Sequence, residues 1–243
     1  VGLSICEDLW KGEDAGFAQH YVDAADPVPQ LIAAGAGLIV NPSASPFVVG
    51  KGQKHRQILA GHAKRHRCFV AAVNQVGGND DLIFDGHAAV FGPDGGLIAA
   101  APGFREHLLI TEVPASASAP GASDPLLCAP TEELLFHALV LGTRDYLAKT
   151  GFKSAVLGIS GGIDSAITAA IGVAAIGAAN LTGLVLPGHY SSEHSKSDAM
   201  DLARRLGIRA ITIPIDPPVN GFRSVLDPAF ASSNQATLGA TLP

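Results

Sequence analysis

A short run of small and acidic residues in the second half of the chain has the composition of an anion-binding loop. The run is Gly158-Ile159-Ser160-Gly161-Gly162-Ile163-Asp164-Ser165. Glycines let the backbone turn tightly and bring its N–H groups close to an anion, and a helix that starts at the loop adds positive potential. The two serines add hydroxyl donors, and the carboxylate of Asp164 suits a Mg²⁺ ion that bridges to phosphate oxygens. The sequence therefore predicts a phosphate-binding loop with Asp164 as its metal ligand.

Two other phosphate-binding motifs do not fit this loop. A P-loop needs a lysine directly after the glycines, and isoleucine follows Gly162 instead. A dinucleotide-binding fingerprint that began at Gly158 would need glycine at positions 160 and 163, where serine and isoleucine stand. A plain glycine-rich turn with an aspartate cap is the remaining alternative, and the two serines argue against it.

The elements that position the loop follow from the hydrophobic pattern. Helices and strands alternate over residues 131–150, 154–159, 163–178, 181–186, 193–206 and 209–213. A strand thus enters the loop and a helix leaves it. Alternation of this length predicts right-handed crossovers and an α/β fold with a doubly wound parallel sheet.

Two segments of this half resemble known enzymes. The SGGxDS pattern after a strand is similar to the PP-loop of N-type ATP pyrophosphatases, which have an adenine nucleotide alpha hydrolase-like fold. These enzymes adenylate a carboxylate or carbonyl, release pyrophosphate, and let a nucleophile displace AMP. The stretch from Leu186 to Ser195 is similar to the MPSxYSSxxS segment of NAD synthetases, with Gly188-His189 where that family more often has serine and a basic residue. The resemblance implies that Gly158 to Ser165 bind ATP, although Ser191 and Ser192 also suit a helix cap.

The thiol of Cys6 is a second candidate for chemistry. It directly follows an apolar run, Val1 to Ile5, that is predicted to be a strand. A thiol on a sharp strand-to-helix turn has an exposed sulfur flanked by backbone N–H groups, which suits a nucleophile beside an oxyanion hole. A buried structural cysteine is the alternative at this position.

The surroundings of Cys6 resemble the nitrilase-type glutaminase domain of glutamine-dependent NAD synthetases. The similar segments are ICEDLW around Cys6, Asn41 to Phe47 with Gly50-Lys51, Asn74 to Asp80, and Phe84 to Gly86. The resemblance implies that Cys6 attacks the glutamine amide and that Ser45 and Lys51 bind glutamine. The family's general-base glutamate and its catalytic lysine precede the cysteine, so neither is assigned here, and Glu7 is not offered as the base.

The resemblance implies that the first part of the chain is a partial nitrilase-type α-β-β-α sandwich. Strands are predicted at 1–5, 37–40, 68–73, 87–91, 97–101 and 108–112, and helices at 28–34 and 53–66. Residues 113–130, rich in alanine, serine and proline, are predicted to be a linker. We therefore expect domains at 1–112 and 131–243, both parts of a longer protein, with an insertion at 13–26.

Composition and charge limit the classes of partner. The 243 residues are 47% hydrophobic and carry a formal charge of −6, which indicates a folded protein without a global field for nucleic acid. No apolar run reaches the roughly 18 residues of a membrane span. Three cysteines without metal-binding spacing favour a reduced, cytoplasmic setting. His62 and His66 stand four apart, but Ala63 replaces the glutamate of a zinc-protease motif, so no metal site is expected there.

Together the two resemblances imply a ligase that makes NAD from nicotinic acid adenine dinucleotide. ATP and Mg²⁺ would drive the amidation, glutamine would supply the ammonia, and the protein would form a homo-oligomer. Two alternatives stay open. One is another PP-loop glutamine amidotransferase, such as a relative of asparagine or GMP synthetases. The other is a truncated chain that binds ATP or glutamine without full turnover.

Overall fold

The computed structural model describes residues 1–10, 26–113 and 129–231, and contacts divide the chain into two units, 1–150 and 151–243. The predicted insertion at 13–26 and the predicted linker at 113–130 lie almost entirely outside the described residues, as does Cys128. Within the described part, no helix has both the length and the apolar character needed to span a membrane.

The first unit contains seven described strands. They are β1 (Gly2–Leu3), β2 (Leu38–Ser43), β3 (Phe69–Asn74), β4 (Val76–Asn79), β5 (Leu82–Asp85), β6 (Ala89–Phe91) and β7 (Leu97–Ala100). Five of them form one sheet in the order β1-β2-β3-β6-β7, with β1, β2 and β3 parallel and the other pairs antiparallel. Because β1, β2 and β3 run the same way, the residues that follow them gather at one edge of the sheet.

Helices cover this sheet and close its core. They are α1 (Pro27–Ala33) and α2 (Lys51–His66), together with a 3-10 turn at Cys6–Leu9. Helix α1 begins where the sequence supplies a cap and a proline, since Asp26 Oδ1 accepts the N–H of Val28 at 3.0 Å. Buried core side chains come from the turn, both helices and the sheet, among them Leu9, Val28, Ile39, Leu59, Val70 and Phe91.

A two-stranded hairpin of β4 and β5, which the hydrophobic pattern does not predict, packs against helix α3 (Thr131–Lys149). A Cβ on Gly78 would lie 3.0 Å from the Cα of Gly142, so helix and hairpin approach closely at two glycines. The N–H of Gly78 donates to Asp145 Oδ2 at 2.8 Å. Contacts thus group α3 with the first unit. The domain limits 1–112 and 131–243 stay a prediction.

The second unit is a three-stranded parallel sheet in the order β8-β9-β10, formed by β8 (Ala155–Gly158), β9 (Leu181–Val185) and β10 (Arg209–Thr212). Its helices are α4 (Ile163–Ile176), α5 (Glu193–Leu206) and α6 (Asp216–Ala231), with a 3-10 turn at Ala178–Asn180. Helices α4 and α5 contact each other and the sheet. The predicted alternation up to residue 213 is confirmed.

One predicted strand is wrong. Residues 108–112 form neither strand nor helix, and Leu108 and Ile110 are 82% and 85% exposed. Apolar residues make a strand only where a neighbouring strand and a core accept them, and these two side chains pack against neither.

Candidate functional site

The turn after β1 holds the Cys6 side chain in an unusual backbone conformation. Cys6 has a φ of +47° and begins the 3-10 turn, and its side chain is half-buried. Two hydrogen bonds close the turn: Asp8 N donates to Ile5 O at 3.0 Å, and Ile5 N donates to Asp8 Oδ2 at 2.7 Å. A non-glycine residue at positive φ is costly, and such residues gather at functional turns. The sharp turn expected for a nucleophile is therefore present.

Asn41, a residue of β2, links this turn to the sheet through hydrogen bonds. Its side chain is fully buried, and its Nδ2 donates to Ser4 Oγ at 3.1 Å and to the main-chain oxygen of Cys6 at 3.4 Å. Its Oδ1 accepts the hydroxyl of Ser43 at 2.7 Å. A buried carboxamide with all these partners is stabilising, because each lost partner would leave a buried polar group unpaired. Asn41 thus fixes the position of Cys6.

Ser45 and Lys51 line one cleft of the first unit, which we call the glutaminase cleft after the role predicted for these two residues. Its other polar lining residues are His55, Arg56, Asn74, Asp85 and His87. Lys51 is the first residue of α2, and its Nζ donates to the main-chain oxygen of Pro46 at 3.1 Å. The same ammonium lies 5.5 Å from the ring centroid of Trp10, at cation–π distance. The structure therefore brings the two predicted glutamine-binding residues together.

Electrostatics connect this cleft to the cysteine. Burial lowers the pKa of Lys51, and the charges of Asp85, Cys6 and Glu7, in that order, act to raise it. Lys51 is therefore within electrostatic range of the Cys6 thiol. All three residues predicted for the glutamine reaction lie in one region of the first unit.

Asn74 and Asp85 are part of the cleft, although sequence reasoning gave them no role. Asn74 Nδ2 donates to Asp85 Oδ1 at 3.2 Å. Burial raises the pKa of Asp85, and His87, Lys51 and the bond from Asn74 oppose that rise. The available signal was that both stand in the family-like segments Asn74–Asp80 and Phe84–Gly86, each at the end of a strand.

The histidine pair on α2 has a structural explanation. His62 is buried, and its Nε2 lies 2.8 Å from the main-chain oxygen of Leu9, so Nε2 carries the proton that is donated. The rings of His62 and His66 stack with centroids 6.0 Å apart. Among the described residues, no group of three or more His, Cys, Asp or Glu could hold a metal ion. His62 thus joins α2 to the end of the cysteine turn.

The predicted phosphate-binding loop lies between β8 and α4. Ile159, only 2% exposed, anchors the loop through its N–H, which donates to Leu184 O at 2.9 Å. Gly161 has a φ of +81°, and Gly162 precedes the first residue of α4. The Ser160 N–H donates to Ser165 Oγ at 3.2 Å, so a bond across the loop closes it around the start of α4. This is the strand–loop–helix geometry expected of a phosphate cradle.

A cleft, named the nucleotide cleft after the ligand predicted for the loop, opens at the carboxyl ends of β8 and β9. It is lined by Gly158, Ile159, Ser160, Leu184, Val185, Leu186, Pro187, Ser191, Ser195 and Lys196. Carboxyl ends of parallel strands are where ligands bind in sheets of this type. The lining is apolar on the β9 side and polar on the loop side, which fits a base and a phosphate chain respectively.

Helix α5 brings a second N-terminus to the nucleotide cleft. Ser192 caps it by accepting the N–H of Ser195 at 3.1 Å, and Ser191 Oγ accepts the N–H of Gly188 at 3.0 Å. The capping role considered for Ser192 is therefore present. Because Gly161 lies against the main chain of Ser195, the N-terminal ends of α4 and α5 are adjacent, and both favour a negative charge.

Asp164 stands at the second position of α4 with an exposed side chain. Mg²⁺ is usually held in nucleotide sites by one or two carboxylates together with substrate phosphates and water. One exposed carboxylate at the mouth of an anion cradle fits that donor set, because the nucleotide supplies most of the oxygens. The residues present therefore fit a metal ion that arrives with a nucleotide.

Comparison with protein families assigns the two halves of the chain separately. The carbon-nitrogen hydrolase family matches residues 1–120, and the NAD synthase family matches residues 135–241. The first match contains the cysteine turn and the glutaminase cleft. The second contains the loop 158–165 and the nucleotide cleft.

Individual relatives match nearly the whole chain. The glutamine-dependent NAD(+) synthetase of Synechocystis sp. is 43% identical over 231 residues, which is 95% of this chain and 41% of that protein. The structure of glutamine-dependent NAD+ synthetase from Acinetobacter baumannii in complex with ADP matches with a TM-score of 0.80 and 36% identity, over 95% of this chain and 41% of that one. A synthetase from Cytophaga hutchinsonii has the same fold at 20% identity, with a TM-score of 0.69 over the same shares.

These matches confirm the predicted fold class: a nitrilase-like part followed by an NAD synthetase part. The chain spans about 40% of the length of the curated relatives it matches. Three such relatives each match across both halves, over 90% to 96% of this chain. The chain is therefore similar, over nearly its whole length, to part of the glutamine-dependent NAD(+) synthetases.

Proposed function

We propose that the chain takes part in the ATP-dependent amidation of nicotinic acid adenine dinucleotide to NAD, with glutamine as the nitrogen source. One observation carries the proposal: a single chain holds a cysteine turn beside a cleft with Ser45 and Lys51, and also a phosphate-type loop beside an apolar cleft. The first site suits release of ammonia from an amide, and the second suits activation of a carboxylate by a nucleotide.

In the first site, the Cys6 thiolate attacks the side-chain amide carbon of glutamine. The C–N bond breaks, the proton released from the Cys6 thiol is delivered to the departing nitrogen, and ammonia leaves while a thioester remains on the sulfur. Water then hydrolyses the thioester to glutamate and restores the thiol. The Lys51 ammonium suits the α-carboxylate of glutamine, and the Ser45 hydroxyl suits a polar group of the same substrate.

In the second site, Gly158 to Ser165 hold the phosphates of ATP at the start of α4. The carboxylate of the dinucleotide attacks the α-phosphate, which forms an acyl-adenylate and releases pyrophosphate. Ammonia then attacks the acyl carbon, AMP leaves, and the amide of NAD is formed. Asp164 would hold Mg²⁺ at the phosphates, where the bound ion supplies neutralisation of their charge.

The remaining expectations about partners belong to this proposal. Glutamine, ATP and the dinucleotide are its small-molecule substrates, and the protein carrying the chain acts as a cytoplasmic homo-oligomer. Neither nucleic acid nor a membrane is a partner. Light scattering of the full-length protein tests the oligomer directly, and a monomeric mass would contradict that part of the proposal.

An isotope experiment tests the proposed reaction. The full-length protein receives ATP, Mg²⁺, nicotinic acid adenine dinucleotide and glutamine labelled with ¹⁵N in the side-chain amide. We expect NAD whose amide carries ¹⁵N, with one AMP and one pyrophosphate for each NAD. Formation of ADP and phosphate, or of unlabelled NAD, would contradict the scheme. Binding of ATP without any AMP would assign the chain to a non-catalytic binding protein instead.

A further inference from the structure

We propose that Asp85 and Asn74 are positioning residues that hold the two glutamine-binding groups, Ser45 and Lys51, in one fixed geometry. The inference rests on the proposed function, because it concerns how the glutaminase cleft presents its binding groups. Neither residue belongs to the reaction described above.

The side chain of Asn74 makes two hydrogen bonds to the main chain of Ser45. Its Oδ1 accepts the N–H of Ser45 at 2.8 Å, and its Nδ2 donates to the carbonyl of Ser45 at 3.0 Å. Two bonds from one planar carboxamide to one residue fix that residue's backbone dihedral angles. With both main-chain groups engaged, the hydroxyl is the polar group that Ser45 presents to a ligand. Ser45 is 8% exposed, so its orientation is set inside the protein and not by solvent.

Asp85 links the Asn74 amide to the charge of Lys51. The second hydrogen of Asn74 Nδ2 goes to Asp85 Oδ1 at 3.2 Å. The charge of Asp85 is the largest of those that stabilise the Lys51 ammonium. Lys51 in turn donates to the carbonyl of Pro46, the residue after Ser45, at 3.1 Å. Hydrogen bonds thus join Ser45, Asn74 and Asp85, and Lys51 bonds to Pro46, while the charge of Asp85 acts on Lys51 across the cleft that both residues line.

The charge of Asp85 favours the protonated form of the half-buried Lys51. Burial lowers the pKa of Lys51, and the negative charge of Asp85 opposes that effect. Cys6 and Glu7 on the cysteine turn also favour its charged form. His55 and Arg56 on its own helix, and His87 after β5, line the same cleft. His55 is neutral near pH 7 because its pKa is lowered to about 4. Among the nearby charges, that of Asp85 does most to raise the pKa of Lys51.

The change Asp85→Asn separates positioning from a general structural role. It keeps the shape and the acceptor for Asn74, and it removes the charge that Lys51 needs. We expect the KM for glutamine to rise about tenfold or more, since a charge-assisted contact is weakened. We also expect the alkaline limb of kcat/KM for glutamine to move to lower pH, because Lys51 then loses its proton more readily. A purely structural defect would lower kcat without moving this limb.

The experiment compares the full-length protein with Asp85→Asn and with Asp81→Asn. Asp81 is an exposed aspartate beside the same hairpin, so its change removes an equal charge away from the cleft, and we expect a wild-type limb. Ammonia-dependent synthesis, which bypasses glutamine, measures the active enzyme in each preparation. If Asp85→Asn did not fold, Asn74→Asp would replace it: the amide donor to Ser45 O is lost, and the KM for glutamine is again expected to rise.

The outcomes distinguish this inference from the proposed function. An unchanged KM and an unchanged alkaline limb in Asp85→Asn would overturn the positioning role while glutamine use by the wild type persists. Absence of glutamine use by the wild type, with ammonia use retained, would instead overturn the proposed function.

Discussion

A Cβ atom on Gly161 would lie 2.6 Å from the main-chain oxygen of Ser195, and 3.1 Å from the Cβ of Asp198. The phosphate-type loop is therefore in direct contact with the first turn of α5. Gly161 also has a φ of +81°, which a side chain would strain. Two independent constraints thus require glycine here, and both keep the N-terminal ends of α4 and α5 adjacent.

Gly161→Ala should damage both stability and nucleotide binding. Strain at positive φ and displacement of the α5 turn together should lower the free energy of unfolding by about 2 kcal/mol. Binding of ATP should weaken at least about tenfold, because the two helix ends would separate. Urea unfolding and calorimetric titration with ATP measure the two effects.

Gly221→Ala is the matched control for that change. Gly221 lies in α6, and a Cβ there would meet no atom within 4 Å. Alanine is the better helix former by about 1 kcal/mol, so stability should stay constant or rise. Equal losses in the two variants would mean that the contact between Gly161 and Ser195 is not what limits the site.

Asp164→Ala tests the metal assignment. The change removes the carboxylate at the mouth of the loop, so NAD synthesis should fall at least about a hundredfold with either glutamine or ammonia. Raising the Mg²⁺ concentration should restore part of the activity. Asp227→Ala, an exposed aspartate of α6, serves as the control and should behave as wild type. Appreciable NAD synthesis by Asp164→Ala at ordinary Mg²⁺ concentration would contradict the assignment of Asp164 as the metal ligand.

The stability of the first unit should depend on pH through His55. Burial, with the nearby charges of Lys51 and Arg56, lowers the pKa of His55 from 6.5 to about 4. Below pH 6.5 the unfolded chain binds a proton at this residue that the folded chain does not bind. Stability should therefore fall as the pH drops from about 6.5 to about 4, by about 3 kcal/mol in total from this group.

His55→Phe isolates this contribution. A phenyl ring can keep the stacking on Trp10, whose centroid lies 5.1 Å from that of His55, and it does not titrate. The loss of unfolding free energy between pH 7 and pH 5 should be smaller in the variant by about 2 kcal/mol. His107→Phe changes an exposed histidine and should leave the slope unaltered. A slope in His55→Phe equal to that of the wild type would refute the assignment.

The second unit was predictable because its signals are local. The helix predicted at 193–206 coincides with α5, since Ser192 caps it and Gly207, with a φ of +68°, ends it. The sequence does not predict helix α6, because Pro217 and Pro218 favour a loop, although proline is tolerated in the first turn of a helix. Local chemistry thus identified the loop and the elements on both sides of it.

The contacts that build the glutaminase cleft were beyond sequence reasoning because they are not local. Asn74 and Ser45 are 29 residues apart, and they meet because the parallel register of β2 and β3 places Ser43 opposite Asn74. Strand β4 contains two adjacent glycines, which hide the alternation that reveals a strand. The resemblance could name Ser45 and Lys51, but only the fold shows what holds them.

The most direct test of the two-site account is the nitrogen source used by Cys6→Ala in the full-length protein. The change removes the proposed nucleophile and leaves the nucleotide cleft intact, so NAD synthesis from glutamine should be lost while synthesis from free ammonia continues at the wild-type rate. Cys68→Ala, which alters a buried core thiol, should retain both activities. Equal loss of glutamine-dependent and ammonia-dependent synthesis in Cys6→Ala would contradict the account.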